Sequence, residues 1–338
     1  IDLDYIAGSD LTHEDKVSVS HMDFAARLAG AKEFKTLFSW NTNPLASAPE
    51  QKRLREAMAR EDLFTVVIDC FVTDTAKYAD YVLPAASFLE FDDLTFSYFH
   101  LHMGAQAKVR KPLGEALPNQ EICRRLAKAM QLEEPLLYED DDTLLKKMMS
   151  EIAPAFGERM SFDDLKQRGH FYLGNTPMPF HEDLAFNTPS GKIEIASAAA
   201  EEAGLPRVPL ASHEPLEDTH TLRLLSPASK WRLNDSYAND EHLQQQAGAP
   251  VIYIHPDDGA KFGLKDNASA RVFNAAGEAI LTTKFDSTVL PSTVVSHKGR
   301  WPSLESDKSS VNFVHTARKA DMGESTSVHS TRVSIEPR

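Results

Sequence analysis

The chain has 338 residues, 42% hydrophobic and 25% charged, which suits a globular protein of about two domains with real cores. A formal net charge of −14 argues against a nucleic-acid partner, which needs a basic footprint. No apolar run approaches bilayer-spanning length, and two cysteines, Cys70 and Cys123, exclude a disulfide framework and are too few for a four-thiolate cluster.

Residues 1 to 20 are polar and irregular. From His21 to Gly30 the spacing of Met22, Ala25, Leu28 and Ala29 predicts a helix with a glycine stop. The apolar run from Phe34 to Trp40 is short enough for a buried strand. The loop Asn41-Thr42-Asn43-Pro44 follows, then a helical stretch from Pro49 to Arg60. A second apolar run, Leu63 to Ile68, ends on Asp69. That order is a βαβ unit, and in open α/β sheets ligands sit beyond the carboxyl ends of the strands. Both the amide-bearing loop and the Asp69 carboxylate fall there, which points to a nucleotide ligand.

Tyr81-Val82-Leu83-Pro84 reads as a third short strand, and Phe91 to Pro112 as an aromatic, irregular stretch. Helices are predicted at 119–131, 141–152 and 161–168. Cys123 reads as a small core residue on the first of these. Glu139-Asp140-Asp141-Asp142 reads as a solvated helix start, acids favouring the positive end of the helix dipole. The Pro-rich stretch 204–217 reads as a linker, dividing the chain into residues 1–203 and 218–338. Beyond it, short strands alternate with turns: Leu222 to Leu225, Val251 to Ile254, Ala270 to Phe273 and Ala279 to Thr282. The last two flank Asn274-Ala275-Ala276-Gly277, a plausible hairpin, and His255 to Leu264 suits a capped short helix. An all-β barrel with small helices is expected there.

Five segments, in order, carry a family resemblance: Asp69-Cys70-Phe71-Val72-Thr73-Asp74-Thr75-Ala76, then Ala79-Asp80-Tyr81-Val82-Leu83-Pro84 with Glu90; Gly114-Glu115-Ala116 with Asn119; Thr188-Pro189-Ser190-Gly191-Lys192-Ile193-Glu194-Ile195; and Leu233-Asn234-Asp235-Ser236-Tyr237-Ala238-Asn239. Over roughly residues 33 to 338 the chain resembles the molybdopterin oxidoreductases of the dimethyl sulfoxide reductase and formate dehydrogenase type. The resemblance implies a partial Rossmann-like α/β sheet with a helical extension, a strand at 188–195, and a C-terminal six-stranded barrel that binds a molybdopterin dinucleotide. It also implies a molybdenum or tungsten bis-molybdopterin guanine dinucleotide. A 4Fe-4S cluster and the metal ligand are expected in an N-terminal remainder outside this chain, which would leave the chain inactive by itself. Implied partners are that remainder, a small-molecule substrate and an iron–sulfur electron-transfer subunit of the kind used in anaerobic respiration. The alternative is a cofactor-free structural subunit of a respiratory-type complex with the same fold.

For the site residues, chemistry and resemblance are separable. Asn41 and Asn43 have side chains that suit phosphate or pterin edges, yet asparagines in such a loop also serve left-handed turns and helix caps. Asp69 is acceptor-only and can take two parallel hydrogen bonds from guanine N1–H and N2–H₂, or bridge a ribose diol. The resemblance places Asp69 at the guanosine end of one cofactor moiety, and it matches Asn119 to a position usually held by Asp. Ser226, Ser229, Lys230, Trp231, Asn234 and Ser236 supply hydroxyl and amide donors and a cation, suited to a pterin pyrophosphate. Asn312 matches the Asn that reaches the pterin, and His329 falls near a Lys of relatives. Such a cofactor is anionic, so the binding would rest on local donors rather than on net charge. Glu90 is expected to hold its loop by hydrogen bonds, and Phe91 replaces a cofactor-contacting Lys. His100 and His102 share a strand face but read as ordinary histidines rather than metal ligands. No Gly-x-Ser-x-Gly elbow or Walker A loop is present.

Overall fold

The structure, a computed structural model, describes residues 17–30, 34–155, 159–172, 182–210 and 220–338. In chain order its principal elements are α1 (Phe24–Gly30), β1 (Thr36–Trp40), α2 (Pro44–Ser47), α3 (Gln51–Met58), β2 (Phe64–Asp69) and β3 (Tyr81–Pro84). Then come β4 (Asp93–Thr95), β5 (His102–Gln106), α4 (Asn119–Ala129), α5 (Asp141–Ala155), α6 (Phe162–Arg168), β6 (His170–Tyr172) and α7 (Ala198–Glu202). The remainder is β7 (Leu222–Leu225), α8 (Glu241–Ala247), β8 (Val251–Ile254), α9 (Pro256–Lys261), β9 (Ser269–Asn274), β10 (Gly277–Phe285), β11 (Thr293–Val295) and β12 (Arg332–Pro337).

The chain falls into two compact units. One holds residues 83–197; the other joins residues 18–82 to residues 198–338. The α/β segment thus belongs to the same unit as the barrel. Residues 204–210 form turns and are mostly exposed, while 211–219 lie outside the described residues.

In the larger unit β1 and β2 run parallel in register from Thr36↔Phe64 to Trp40↔Ile68, and β3 completes a three-stranded sheet in the order β1-β2-β3. Thr65, Val66, Val67 and Ile68 are all buried, the continuous burial expected of a strand covered on both faces. Phe38 and Trp40 on β1 are about half exposed, so that face of the edge strand is open. A small core of Leu28, Leu45, Leu54, Met58 and Leu63 packs α1, α2 and α3 together.

The barrel closes in the order β10-β8-β11-β7-β12-β9, which leaves it no free sheet edge. Its strands alternate in burial (β7 and β8 each bury every second residue), so one face of every strand fills a common interior. Leu224, Ile252, Ile254, Val272, Val294 and Val333 have no measurable exposure, each contributing roughly 1.5–3 kcal/mol of burial. The 274–277 hairpin forms as expected and the Asn274 amide donates to Val314 and Arg332 carbonyls at 2.7 and 2.9 Å. The short helix α9 is capped by His255 Nδ1, which accepts from the Asp257 N–H. β11, at three residues, is too short to be read from sequence, whereas β12 alternates clearly, with Val333 and Ile335 buried.

Polar ties bind the α/β segment to the barrel within this unit. Asp74, 2% exposed, accepts from the Ser303 N–H at 3.0 Å and from its hydroxyl at 3.1 Å, and pairs with Arg55 at 3.4 Å. Arg55 also donates to the Leu45 carbonyl and lies over the Phe313 ring. Ala46 packs with Ala238 and Trp301, and the Glu50 N–H donates to the His315 carbonyl.

The other unit has a second three-stranded sheet, β4-β5-β6, antiparallel throughout. Met103, Leu145, Met149, Ile152, Phe162, Leu165 and Phe171 form its core with helices α5 and α6. Three expectations need correction here. The 91–112 stretch is not irregular: β4 and β5 lie in it, and aromatic residues and histidines masked a strand that only pairing with β6 completes. Residues 188–195 form turns rather than a strand; Ile193 and Ile195 alternate, but both are exposed and no described strand pairs with them. Cys123 is exposed rather than core, because α4 turns Ile122 and Ala127 inward instead. The acid run behaves as read: Asp140 accepts from the Thr143 N–H and hydroxyl at the start of α5. Glu90, 5% exposed, accepts from the Ser87 N–H at 2.9 Å and so holds its loop.

His315 makes stability depend on pH. It is 1% exposed, its Nδ1 meets the Thr331 hydroxyl at 2.9 Å, and Nε2 has no partner among the described residues. Burial, with His329 and Lys298 nearby, pushes its pKa down from 6.5 to about 4. The unfolded chain then binds a proton that the folded chain does not, so stability falls as pH drops from about 6.5 towards 4. The loss should reach at most about 3 kcal/mol. In urea titrations across this window His315→Gln should flatten the profile; an unchanged slope would rule His315 out as its source.

Candidate functional site

The C-terminal ends of β1 and β2 and the barrel loop after β7 belong to one compact unit. Asn41 has a left-handed backbone (φ 49°) and its N–H donates to the Ile68 carbonyl at 2.9 Å, so it turns the chain out of the sheet. Asn43 makes no side-chain cap on α2. Its Oδ1 accepts from the Thr75 N–H at 3.1 Å and from the Thr75 hydroxyl at 2.8 Å, bracing the loop after β1 against the one after β2. Asp69 ends β2 and accepts from the Phe71 N–H at 3.0 Å, a local turn at the strand end.

Two carboxylates here are electrostatically uncomfortable. Burial raises the pKa of Asp69; the Phe71 and Cys70 N–H groups oppose the rise and the Asp235 charge adds to it. Burial likewise raises Asp235, with Asn43 and Trp301 opposing and Asp74 adding. Asp235 was not singled out as a site residue by sequence, because only the fold brings the barrel loop within range of the strand end.

On the barrel loop, Ser226 is buried; its N–H donates to His329 Nδ1 at 3.4 Å and its hydroxyl has no partner among the described residues. Ser229 Oγ accepts from the Trp231 N–H at 3.1 Å, and the Lys230 ammonium sits 4.5 Å from the Trp231 ring centroid. Asn234 is exposed and left-handed (φ 53°), and the Ser236 N–H donates to the Leu233 carbonyl. Gly299 (φ 95°) allows this loop to cross residues 297–301: a Cβ there would lie 2.0 Å from the Asn234 carbonyl oxygen. Beside the crossing lies a cavity of about 400 Å³, lined by Lys230, Arg232, His297 and Arg300 among others. Arg232 is 7% exposed and was missed by sequence reading, since a lone arginine in a polar loop gives no signal of burial.

Asn312 uses one N–H of its amide to donate to the Ala46 carbonyl at 2.6 Å, which ties the barrel to α2. Asn119 opens α4 in the other unit, with a buried Oδ1 that has no partner among the described residues. The fold thus gathers Asn41, Asn43, Asp69, the Ser226–Ser236 positions, Asn312 and His329 in one unit and leaves Asn119 in the other. His102 stacks against His100, His170 and Tyr172 at centroid spacings of 5.0 to 5.1 Å, yet no group of three metal-capable side chains occurs among the described residues.

The donor set fits a large anionic ligand. The Ser226 and Ser310 hydroxyls and Arg232 Nε are all buried and lack partners among the described residues, and burying such groups unsatisfied is costly. Backbone N–H groups and left-handed turns at Asn41 and Asn234 add polar backbone at the loop ends.

The raised carboxylates carry a sign that can be tested. Folding prefers Asp69 and Asp235 protonated, so their contribution is favourable below the unfolded value of 3.8 and is lost as pH rises through the raised folded values. Asp69→Asn or Asp235→Asn should therefore raise the melting temperature of the ligand-free chain at pH 7, and the gain should shrink as pH falls towards 3.8. A variant that melts lower than the parent at every pH would contradict this electrostatic account.

Comparison with known proteins places the chain. Residues 7–129 match the family model for molybdopterin oxidoreductase, and residues 222–332 match that for the molydopterin dinucleotide binding domain. The probable oxidoreductase YoaE of Bacillus subtilis (strain 168) is 34% identical over 302 residues, covering 89% of this chain and 44% of that protein. The dimethyl sulfoxide reductase DmsA of Escherichia coli (strain K12) is 26% identical, over 80% of this chain and 37% of its own length. In three dimensions acetylene hydratase from Pelobacter acetylenicus superposes with a TM-score of 0.77 over 95% of this chain and 47% of that one, at 21% identity, which shows a shared fold. The chain spans less than half the length of these relatives. With both family models matched in chain order and relatives of this type along most of its length, the chain belongs to the molybdopterin oxidoreductase family and carries its dinucleotide-binding domain.

Proposed function

We propose that this chain is the cofactor-clamping part of a molybdenum or tungsten bis-pterin guanine dinucleotide oxidoreductase. The observation that carries the reading is that the βαβ loops and the barrel loop belong to one unit locked by buried polar ties, with unsatisfied buried donors on the barrel side. The cofactor, when bound, supplies oxygen-atom or two-electron transfer at its metal. Asp69 would take the guanine edge or a ribose diol, with Asn41 and the backbone of the strand-end loops around it. Ser226, Ser229, Lys230, Trp231, Asn234 and Ser236 would hold pterin and phosphate, with His329 orienting the Ser226 backbone. Asn312 and Asn43 would act mainly as braces, since both already make buried or half-buried hydrogen bonds.

Turnover would require further protein that supplies the metal ligand, an iron–sulfur cluster and the substrate funnel, in keeping with relatives more than twice as long. A scaffold that had lost its cofactor would have no use for buried, partnerless donors, which disfavours the structural-subunit reading. Asp69→Asn tests the guanine contact, since it turns one acceptor into a donor facing donors, a cost of roughly 1–3 kcal/mol. Isothermal titration with guanosine diphosphate should show about a tenfold or greater loss of affinity, with adenosine diphosphate unaffected. Equal guanosine diphosphate affinity in parent and variant would remove Asp69 from the site.

A further inference from the structure

We propose that the outer wall of the barrel carries a separate binding site, for an aromatic carboxylate, in a cavity of about 670 Å³ beside the loop joining β10 to β11. Burial alternates along the strands here. Arg223 and Leu225 on β7, Thr293 and Val295 on β11, and Tyr253 on β8 therefore point away from the barrel interior. Strand register sorts them into two rows. Thr293 lies opposite Arg223, and Arg223 opposite Arg332 of β12, which makes a basic row. Tyr253 lies opposite Val295, and Val295 opposite Leu225, which makes an apolar row. The two rows run side by side, roughly 7 Å apart along the strands.

Two arginines facing each other across a strand ladder repel, which works against folding, and an anion beside them relieves the repulsion. No hydrogen bond or ion pair engages the Arg332 guanidinium among the described residues. The one acid in the cavity lining, Asp286, is already engaged. Its Oδ1 accepts from the Thr288 hydroxyl at 2.7 Å and from the Thr288 N–H at 2.8 Å, and these bonds hold its pKa down. Next to it, Val289 and Leu290 form an apolar lip, with Leu290 73% exposed. The lip is fixed: the Asp286 N–H donates to the Ile254 carbonyl, the Thr293 N–H to the Leu290 carbonyl, and the Ser292 N–H to the Asp258 carboxylate. Tyr253, its ring edge-on to His297 at a centroid spacing of 6.1 Å, adds an aromatic surface. A cavity of this size, with an apolar floor and a few polar groups at one end, has the build of a small-molecule site. A planar carboxylate can take paired N–H groups from a guanidinium, with the Thr293 hydroxyl beside it, while a ring covers Leu225 and Val295. A nucleotide is the poorer match, because its ribose hydroxyls would meet the apolar row without partners.

The site rests on the barrel wall and not on the cofactor reading above. Calorimetric titration of the full chain with naphthoate, at constant ionic strength, tests it. The parent should bind one equivalent saturably, and the uncharged naphthylmethanol about tenfold more weakly or worse. Arg223→Gln should lose about tenfold in naphthoate affinity, and Arg223→Lys less, since the ammonium keeps the charge but not the planar fork. Arg332→Gln should weaken binding by a smaller factor. Without ligand it should melt no lower than the parent, because it ends the repulsion between the two arginines. Saturating guanosine diphosphate should leave naphthoate affinity unchanged. If Arg223→Gln does not fold, Arg332→Gln and the alcohol still decide the matter. No saturable binding, equal affinity for acid and alcohol, undiminished binding to the glutamine variants, or a ligand-free Arg332→Gln that melts below the parent would each overturn the site. Competitive displacement of naphthoate by guanosine diphosphate would assign the cavity to nucleotide binding and overturn it equally.

Discussion

The larger unit depends on one buried carboxylate. Asp74 lies just past β2 and is satisfied on three sides: by Ser303 from the barrel through two hydrogen bonds, and by Arg55 from α3. Asp74 is almost fully buried, so losing a partner would leave a charge uncompensated, typically a cost of about 3–5 kcal/mol. Arg55 in turn holds the Leu45 carbonyl and the Phe313 ring. A strand end, a helix and a barrel turn are therefore made into one rigid corner, and the loops that line the candidate site hang from it.

That corner determines how charge is distributed over the site. On the strand-end side stand Asp69 and Asp235, both carboxylates that burial makes reluctant to ionise. Along the barrel loop, Lys230, Arg232 and Arg300 line a cavity that no acid lines among the described residues. A nucleotide diphosphate has the complementary arrangement: a base edge and ribose that donate to acceptors, and phosphates that seek cations. The balance also explains how an acidic chain could hold an anionic cofactor, since what matters is the sign of the local field and not the sum over 338 residues.

The asparagines illustrate how one residue type serves two ends. Asn41 and Asn234 occupy left-handed backbone, where Asn is one of the few side chains tolerated, and both leave their amides available. Asn43 gives its amide oxygen to Thr75, and Asn312 one amide N–H to the Ala46 carbonyl. Sequence treats all four alike. Only the partners available in the folded chain separate a brace from a ligand contact.

Much of the fold was legible because it is local. The parallel pair β1 and β2, the helices at 119–129 and 141–155, the 274–277 hairpin and the alternating barrel strands all announce themselves through apolar period and turn residues within a few positions. Segment order also carried the family, and with it Asp69 as the strand-end acid. What tertiary structure alone decided is non-local. Residues 18–82 joined the barrel across more than a hundred intervening positions, the β4–β5 pair gained its third strand only from the distant β6, and Ile193 and Ile195 found no described strand to pair with. Arg232 and Asp235 acquired their character in the same way: a charged residue's chemistry depends on how much water and which partners surround it, and neither quantity is written in the residues beside it along the chain.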